Sequence, residues 1–435
     1  MNRLLHRTRA ALKSVSLKAL IEAAMRRAAA RTEIPFVVRF ADGSELRTRA
    51  AEPAFTLVFR HPRAYWRCLL YGHVGMLEAY IDGEIDVQGS LAQALAAGME
   101  GHLDEPTPLV WLRNRWHEWG HSNSSRARAK ANASFHYALG PEFYRLWLDD
   151  PLMLYTCAYW TDGTRTLEEA QRNKLDHVSK KVRLRPGDEV VDIGSGFGGF
   201  LLYAEERWGV KVTGYNTTRS QVEHARRQID FRRLKNTVAV EGDFRSMDRE
   251  YDKVVSIGCL EHAGRDGLAE LIQAHARSLK PGGLGLIHFI GHVGHLETDY
   301  FIRKYVFPGG WIPSLADVVV EMEKAGLEVL DVENLRRHYA LTLDVWAERF
   351  DRNWERIRAL DPARFDERFR RVWRLYLYGC AEMFRSPVGR THLFQVVFSK
   401  GNVTSSSYPM TREFLYEQPA PQPAHAEKRS SSRAA

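Results

Sequence analysis

Between residues 188 and 290, apolar residues fall into short runs separated by longer stretches with helical spacing. The runs at 188–193, 210–215, 237–241, 252–258 and 284–290 predict buried strands, with helices between them. Strand and helix in alternation predict an α/β fold built on a doubly wound parallel sheet. Two later runs, 327–332 and 393–398, fit an antiparallel pair that closes the sheet. The stretch 336–385 between them is helical in pattern and rich in Trp, Phe, Tyr and Arg, and is expected to form a lid over the open end. A further helix is predicted over 166–182.

Upstream the pattern changes. Short runs at 36–40, 45–47 and 56–59, a turn at Asp42-Gly43, and helical spacing at 69–79 and 91–99 predict a small α+β domain over 34–122. Residues 101–134 carry Pro106, Pro108 and three tryptophans before a Ser/Arg/Ala run, and read as a helix followed by a linker. The larger α/β domain is expected over 123–400. Polar and proline-rich residues from 401 to 435 predict a disordered tail. At the other end, residues 1–33 form an arm in which Leu5, Leu12, Val15, Leu20 and Ile21 recur at roughly helical spacing among arginines. The arm fits a helix on an anionic membrane surface, an organellar transit peptide, or a helix packed on its own protein.

The strand at 188–193 runs into Gly194-Ser195-Gly196-Phe197-Gly198-Gly199. Glycines there permit a tight turn and close approach to a ligand, and the helix that follows aims its free N–H groups at the same place. The spacing of Gly194, Gly196 and Gly199 also suits dinucleotide enzymes, which want an acid at the end of the second strand to hold a ribose. Here that strand ends in Asn216-Thr217-Thr218, and an acid, Asp192, sits at the end of the first. This favours S-adenosylmethionine (SAM), with its cationic sulfonium and ammonium, over nicotinamide or flavin, or over a strand–turn–helix that holds no ligand. Other candidates cluster at strand ends: Asn216 to Gln221, Asp243-Phe244, Glu261-His262 and His288-Phe289-Ile290-Gly291. Open α/β sheets bind ligands at that edge. Taken singly, Gln221 also suits a helix start, Phe244 the core, and His288 a satisfied core histidine.

The combination resembles the cyclopropane-fatty-acyl-phospholipid synthase family, which includes the mycolic acid methyltransferases. The stretches that carry it are Tyr155-Thr-Cys-Ala-Tyr-Trp160, Thr166-Leu-Glu-Glu-Ala-Gln171, Glu261-His262, His288-Phe-Ile-Gly291, Lys304-Tyr-Val-Phe-Pro-Gly309 and Gly379-Cys-Ala-Glu382, with Glu78-Ala-Tyr-Ile-Asp-Gly83 extending it back to about residue 35. The resemblance implies an SAM-dependent methyltransferase that adds a methylene group to the cis double bond of unsaturated phospholipid acyl chains, forming cyclopropane fatty acids. C-methylation without ring closure and a catalytically silent lipid-binding homologue are the alternatives. By the same resemblance, Tyr155, Thr156, Asp192, Gly194, Ser195, Gly196, Gly198, Asn216, Thr218, Gln221, Asp243 and Phe244 would hold SAM. Bicarbonate would be the base, held by Cys157, Glu261, His288, Tyr339 and the backbone amide of Ile290. Cys380 is either a further active-site residue or a buried helix cysteine. The chain departs from the family pattern at Ser195 and Phe197, where Cys and Trp are usual, at Ala138 in place of Asp, and at Asn216 in place of Thr. Methylating an alkene leaves a carbocation that water would quench, so a closed apolar pocket is expected. Tyr137, Tyr159, Trp160 and Phe289 are candidates to face that cation.

Composition and charge narrow the setting. No apolar run approaches the ~18–20 residues of a membrane span. The four cysteines, Cys68, Cys157, Cys259 and Cys380, form no C-x-x-C pair, which argues against a disulfide framework or a metal site and for a reducing cytosol. Over residues 1–31, eight basic residues oppose Glu22 alone, so the arm holds +7 of the chain's net +8. Charge confined to an arm, not spread around the sheet, argues against nucleic acid as a partner. The expected setting is cytoplasmic, peripheral to the inner membrane surface, with phospholipid as partner and a homodimer left open.

Overall fold

The structure, a computed structural model, describes residues 16–416 apart from Ser124. Helix α1 (Leu17–Ala29) opens it, capped by Ser16, whose hydroxyl accepts from the Ala19 N–H at 3.2 Å. Ile21, Met25 and Ala28, three or four apart, are buried in the N-terminal core, while Arg26, Arg27 and Arg31 stay exposed. This half of the arm is therefore packed on its own protein; residues 1–15 lie outside the described residues.

Strands β1 (Phe36–Arg39), β2 (Glu45–Arg47), β3 (Phe55–Phe59) and β4 (Ile85–Gly89) form a sheet in the order β2-β1-β3-β4, backed by α2 (Arg63–Ile81) and α3 (Leu91–Glu100). Helix α2 starts earlier than its apolar spacing predicts and bends at Gly72, whose φ is +52°. Then follow α4 (Pro108–Gly120), α5 (Arg126–Tyr137) and the short α6 (Pro141–Arg145). The expected linker is thus largely helix α5. Its Ala, Arg and Lys residues are strong helix formers even without an apolar stripe.

Helix α7 (Leu167–Lys181) begins with a capping box, in which Thr166 accepts from the Glu169 N–H and Glu169 from the Thr166 N–H. The large sheet comprises β5 (Glu189–Ile193), β6 (Lys211–Asn216), β7 (Thr237–Glu241), β8 (Tyr251–Ile257), β9 (Leu279–His292), β10 (Leu327–Asn334) and β11 (Thr391–Lys400), in the order β10-β11-β9-β8-β5-β6-β7. Helices α8 (Gly199–Trp208), α9 (Arg219–Arg232), α10 (Leu268–Arg277) and α11 (Leu315–Lys324) connect the strands. Strand β11 runs antiparallel to both its neighbours, as the sequence pattern predicts, and the other pairs are parallel. Chain direction across the sheet switches at β5, which leaves a crevice at its carboxyl end.

Helices α12 (Arg336–Arg352), α13 (Trp354–Leu360) and α14 (Glu367–Arg385) fill the expected lid region. They share one apolar cluster with Phe143, Trp147 and Cys157, and with Tyr80, Ile81 and Leu91 of the N-terminal domain. Polar bonds tie the same two parts: His73 Nε2 lies 2.7 Å from Asp299 Oδ2, and Lys304 Nζ donates to Glu78 Oε1 at 2.6 Å. Residues 401–416 overturn the disorder expected from 401. Arg412 pairs with Asp331, Arg183 covers the Phe414 ring at 5.4 Å, and in α15 (Glu413–Tyr416) the buried Leu415 accepts from Lys180 at 3.1 Å. A few well-placed anchors outweigh the polar composition. Residues 417–435 lie outside the described residues.

Candidate active site

A cleft partly open to solvent lies at the carboxyl ends of β5, β6, β7 and β8. Its floor is the glycine loop. A Cβ added at Gly194, where φ is +86°, would lie 2.7 Å from the Cys259 Cβ, so only glycine fits between strand end and neighbour. Gly196 has φ +52° and no other group within 4 Å of such a Cβ; its bare face borders the cleft. Of the residues expected to hold the cofactor, Tyr155, Thr156, Asp192, Gly194, Ser195, Gly196, Asn216, Thr218, Gln221 and Phe244 line this space. Gly198 and Asp243 do not. Gly198 caps α8 in the left-handed region and packs on Ala225, and Asp243 commits its carboxylate to Arg245, accepting from its N–H at 2.9 Å and pairing with its guanidinium at 3.1 Å.

Asn216 holds the loop in shape. Its Nδ2 donates to the Gly196 carbonyl and to Gln221 Oε1, both at 3.0 Å, and its Oδ1 accepts from the Thr218 N–H at 3.1 Å. Asp192 is different: its Oδ1 is buried without a partner, and burial pushes the carboxyl up to about 7 against the pull of Lys174. A buried, unpaired carboxyl beside an open cleft suits a cationic ligand. Lys174 on α7 also lines the cleft and donates to Thr156 Oγ1 at 2.8 Å. Sequence reasoning missed it, although a lysine on the same buried face as Leu167, Ala170, Gln171, Leu175 and Val178 was a readable signal. His262, singled out in the sequence with Glu261, also lines the cleft; its Nε2 lies 2.8 Å from the Tyr137 hydroxyl, and burial pushes it down to about 4, so it is neutral.

Beyond the cleft's inner end stand the residues expected around an anion. Glu261, on the turn after β8, accepts at Oε1 from the Ile290 N–H at 2.6 Å, and its Oε2 is buried without a partner. The Ile290 amide, which the resemblance gave to the anion, is thus engaged by Glu261. Burial raises the Glu261 carboxyl to about 7, partly opposed by that bond. His288 lies two residues before Ile290 on β9, hence on the same face. Burial, and then Lys174 and Lys181, hold its imidazole far below the usual range, so it is neutral. Its Nδ1 faces Gln395 Nε2 at 3.1 Å, while its Nε2 is buried with no partner. Gln395 Oε1 accepts from Lys181 at 2.9 Å, and Lys181 and His177 both meet Glu333, at 2.5 and 2.7 Å. Tyr339, at the start of α12, has its phenol raised well above the usual range by burial and then by the nearby Tyr376, Cys380, Cys157 and Glu261. The structure thus gathers Cys157, Glu261, Tyr339 and Cys380. Burial keeps both thiols protonated; that of Cys157 donates to the Ala158 carbonyl at 3.2 Å, and that of Cys380 is pushed up to about 12.

Of the four rings expected to face a cation, Tyr137 reaches the cleft. Tyr159 is sandwiched between His177 and His338, at 4.1 and 4.7 Å, and Trp160 turns its Nε1 to Thr342 at 3.1 Å. Phe289 points to the opposite face of β9 from His288 and packs on Phe394 at 5.9 Å, as strand alternation requires. Tyr155 also lines the cleft. Its ring lies 5.2 Å from Trp346, and its hydroxyl 2.8 Å from that of Tyr376 and 3.1 Å from His136 Nε2. The lid helices α12 and α14 therefore supply the aromatic wall.

Residues 124–396 match the family described as mycolic acid cyclopropane synthetase. A probable fatty acid methyltransferase of Pseudomonas putida is 32% identical over 394 residues, covering 88% of this chain and 96% of that protein. The cyclopropane-fatty-acyl-phospholipid synthase of Escherichia coli strain K12 is 33% identical over 350 residues, covering 79% of this chain and 87% of its own. The solved structure of mycolic acid cyclopropane synthase CmaA1 with SAH and CTAB superposes with a TM-score of 0.58 and 32% identity, over 62% of this chain and 98% of that one. With an SAM-type cleft at the switch point of its sheet, the chain belongs to the mycolic acid cyclopropane synthetase family and is an SAM-dependent methyltransferase.

Proposed function

We propose that the protein adds a methylene group from SAM to the cis double bond of unsaturated phospholipid acyl chains, forming cyclopropane fatty acids. The observation that carries this reading is the pair Glu261 and His288: a carboxyl poised near neutrality and a neutral imidazole, each with a buried polar atom that lacks a partner. Glu261 stands near the rings of Tyr137 and Tyr339. An alkene offers no lone pair, so its methylation leaves a carbocation that must lose a proton where water cannot reach it. A dry aromatic wall and a proton-accepting group together fit that demand. The names of the Pseudomonas putida and Escherichia coli relatives support acyl chains as substrate.

SAM, when bound, supplies the electrophilic methyl group. The loop at Gly194 and Gly196 would admit it, and Asp192 would attract its cationic end. Tyr155 and Trp346 would offer π faces to positive charge on the acyl chain. By the family resemblance, a small anion would be held by His288, Tyr339 and Cys157 together with Glu261, whose Oε2 is buried without a partner. Bicarbonate held there would supply the base. Substrates of this kind lie in a bilayer, and no helix among the described residues is long and apolar enough to cross one, so the protein would work from the membrane surface.

The test incubates purified protein with methyl-labelled SAM and vesicles of cis-unsaturated phospholipid. Mass spectrometry reads the added carbon, and NMR separates a ring from a methyl branch. Label in a branch would replace ring closure by simple C-methylation; no label in acyl chains would sink the reading.

A further inference from the structure

Helix α4 turns most of its apolar residues outward. Leu109, Leu112, Trp116 and Trp119 recur at three- and four-residue spacing and all face solvent, with Trp111 at the margin of the same face. Trp116 and Trp119 are 73% and 84% exposed, values at odds with indoles that serve a core. The side of α4 that meets the protein is mixed, with Val110 buried against Val74 and Tyr300 beside polar contacts. Asn114 is buried, donating to the Thr298 carbonyl at 2.9 Å and accepting from Arg303 at 3.1 Å. His117 packs edge-on against Tyr300 at 5.7 Å. The apolar face continues onto α2, where Trp66 and Leu70 are also exposed and the Leu70 carbonyl accepts from Thr107, the cap of α4, at 3.1 Å.

Basic residues predominate along this stretch. Between Glu105 and Glu142 the sequence carries Arg113, Arg115, Arg126, Arg128 and Lys130 against Glu118, with Asp104 and Glu105 preceding the helix. Glu118 is half-buried, and its carboxylate is held by Arg303 and Arg265, both at 3.2 Å. Among the others, Lys130 reaches Glu241 at 2.7 Å and Arg113 lies over the Tyr71 ring at 4.7 Å. Tryptophan with arginine on an exposed helix matches the boundary between lipid headgroups and acyl chains, where indoles settle and anionic headgroups attract cations. Helix α5 joins this face to the cleft: Asn132 donates to the His121 carbonyl just past α4 at 2.8 Å, while Ala133 and Tyr137 of α5 line the cleft.

We propose that the exposed face of α4, extended by Trp66 and Leu70, docks the enzyme on an anionic lipid surface with its cleft turned to the acyl chains. The inference rests on the acyl-chain reading only for its purpose; the docking itself is read without turnover. It assigns to α4 a contact that the buried face of α1 does not provide.

The experiment uses the full chain and flotation with vesicles of cis-unsaturated phosphatidylethanolamine and phosphatidylglycerol, beside vesicles of phosphatidylcholine alone. Wild type should float with the anionic vesicles, and less so as salt rises. The triple variant Trp111→Ser, Trp116→Ser, Trp119→Ser should bind them about tenfold more weakly or worse, since burying even one indole is worth more than a factor of ten. It should keep the wild-type melting temperature, SAM affinity and mass in lipid-free gel filtration. Phe231→Ser, 82% exposed on α9, should float as wild type does. Equal flotation of the triple variant and wild type would overturn the proposal, as would failure of wild type to float. A wild-type dimer that the triple variant dissociates would assign the face to a second copy of the chain and overturn it too. Flotation lost only on removing residues 1–15, which leaves the packed helix α1 in place, would move the contact to the arm. If wild type floats through this face but labels no acyl chain, the docking stands and the acyl-chain reading falls.

Discussion

Gln395 on β11 donates from Nε2 to Nδ1 of His288 on β9, across 3.1 Å. The direction is fixed because the Gln395 oxygen is already taken by the Lys181 ammonium at 2.9 Å. A neutral histidine that accepts at Nδ1 carries its proton at Nε2, so His288 presents an N–H to the inner end of the site. Gln395→Glu would reverse this, since a carboxylate can only accept, while Lys181 would keep a partner. The expected outcome is intact SAM affinity, turnover reduced at least about tenfold, and an added ionisation in the pH profile as a carboxylate lifts His288 towards neutrality. Unchanged turnover and pH profile would deny Gln395 this positioning role.

Glu261→Gln tests the carboxyl itself. Glutamine keeps an oxygen for the Ile290 N–H but cannot hold the anionic base as the carboxyl would, so turnover should fall by ~10²–10⁴ with SAM affinity nearly unchanged. The folded carboxyl titrates at about 7, above its unfolded value of 4.5, so the folded protein holds that proton longer. Its contribution to stability therefore declines as pH rises from 4.5 through 7. The amide lacks this decline, and the variant should melt at or above the wild-type temperature at alkaline pH. A parallel loss of melting temperature and activity would make Glu261 structural.

Asp192 should make SAM binding depend on pH. Its carboxyl titrates at about 7, and a cation in the cleft is attracted only to the ionised form. Affinity should rise with pH towards 7 and level off above it, by up to about tenfold per unit below the midpoint. Calorimetry in buffers of different protonation enthalpy should detect a proton released on binding at neutral pH. In Asp192→Asn, binding should be weaker and flat with pH.

Two glycines of one loop should fail differently. Gly196→Val puts a branched side chain into open cleft at φ +52°, so SAM binding should vanish while the fold bears about 1–2 kcal/mol of backbone strain. Gly198→Ala sets a methyl 2.8 Å from the Ala225 Cβ at φ +90°, so the protein should melt lower yet bind SAM when folded. Calorimetry and melting curves on both variants separate the two outcomes.

The sheet was legible where its strands are buried on both faces, as at 190–193 and 393–398, and where glycines punctuate a run, as at 194–199. The capped helix at 167–181 was equally clear. Helix α5 was not, because its signal lies in Ala and Arg propensity and it lacks an apolar stripe. In the site, residues at strand ends could be placed from local pattern. Which rings would face the cleft depended on strand alternation at Phe289 and on stacking partners at Tyr159, the latter distant in sequence. The chain from His288 through Gln395, Lys181 and Glu333 to His177 joins four separate elements, and no local window contains it.

Tyr80, Ile81 and Leu91 of the small domain sit in the same apolar cluster as Trp147, Trp346 and Trp373. Neither side of that cluster is sealed without the other, and His73 with Asp299 and Glu78 with Lys304 bolt its rim. Two sheets separated in sequence are thereby bound to one cooperative event. Heat that loosens the small domain uncovers the aromatic wall around Tyr155, so inactivation and global melting should coincide. The small domain is then as much a keystone of the catalytic half as a neighbour to it.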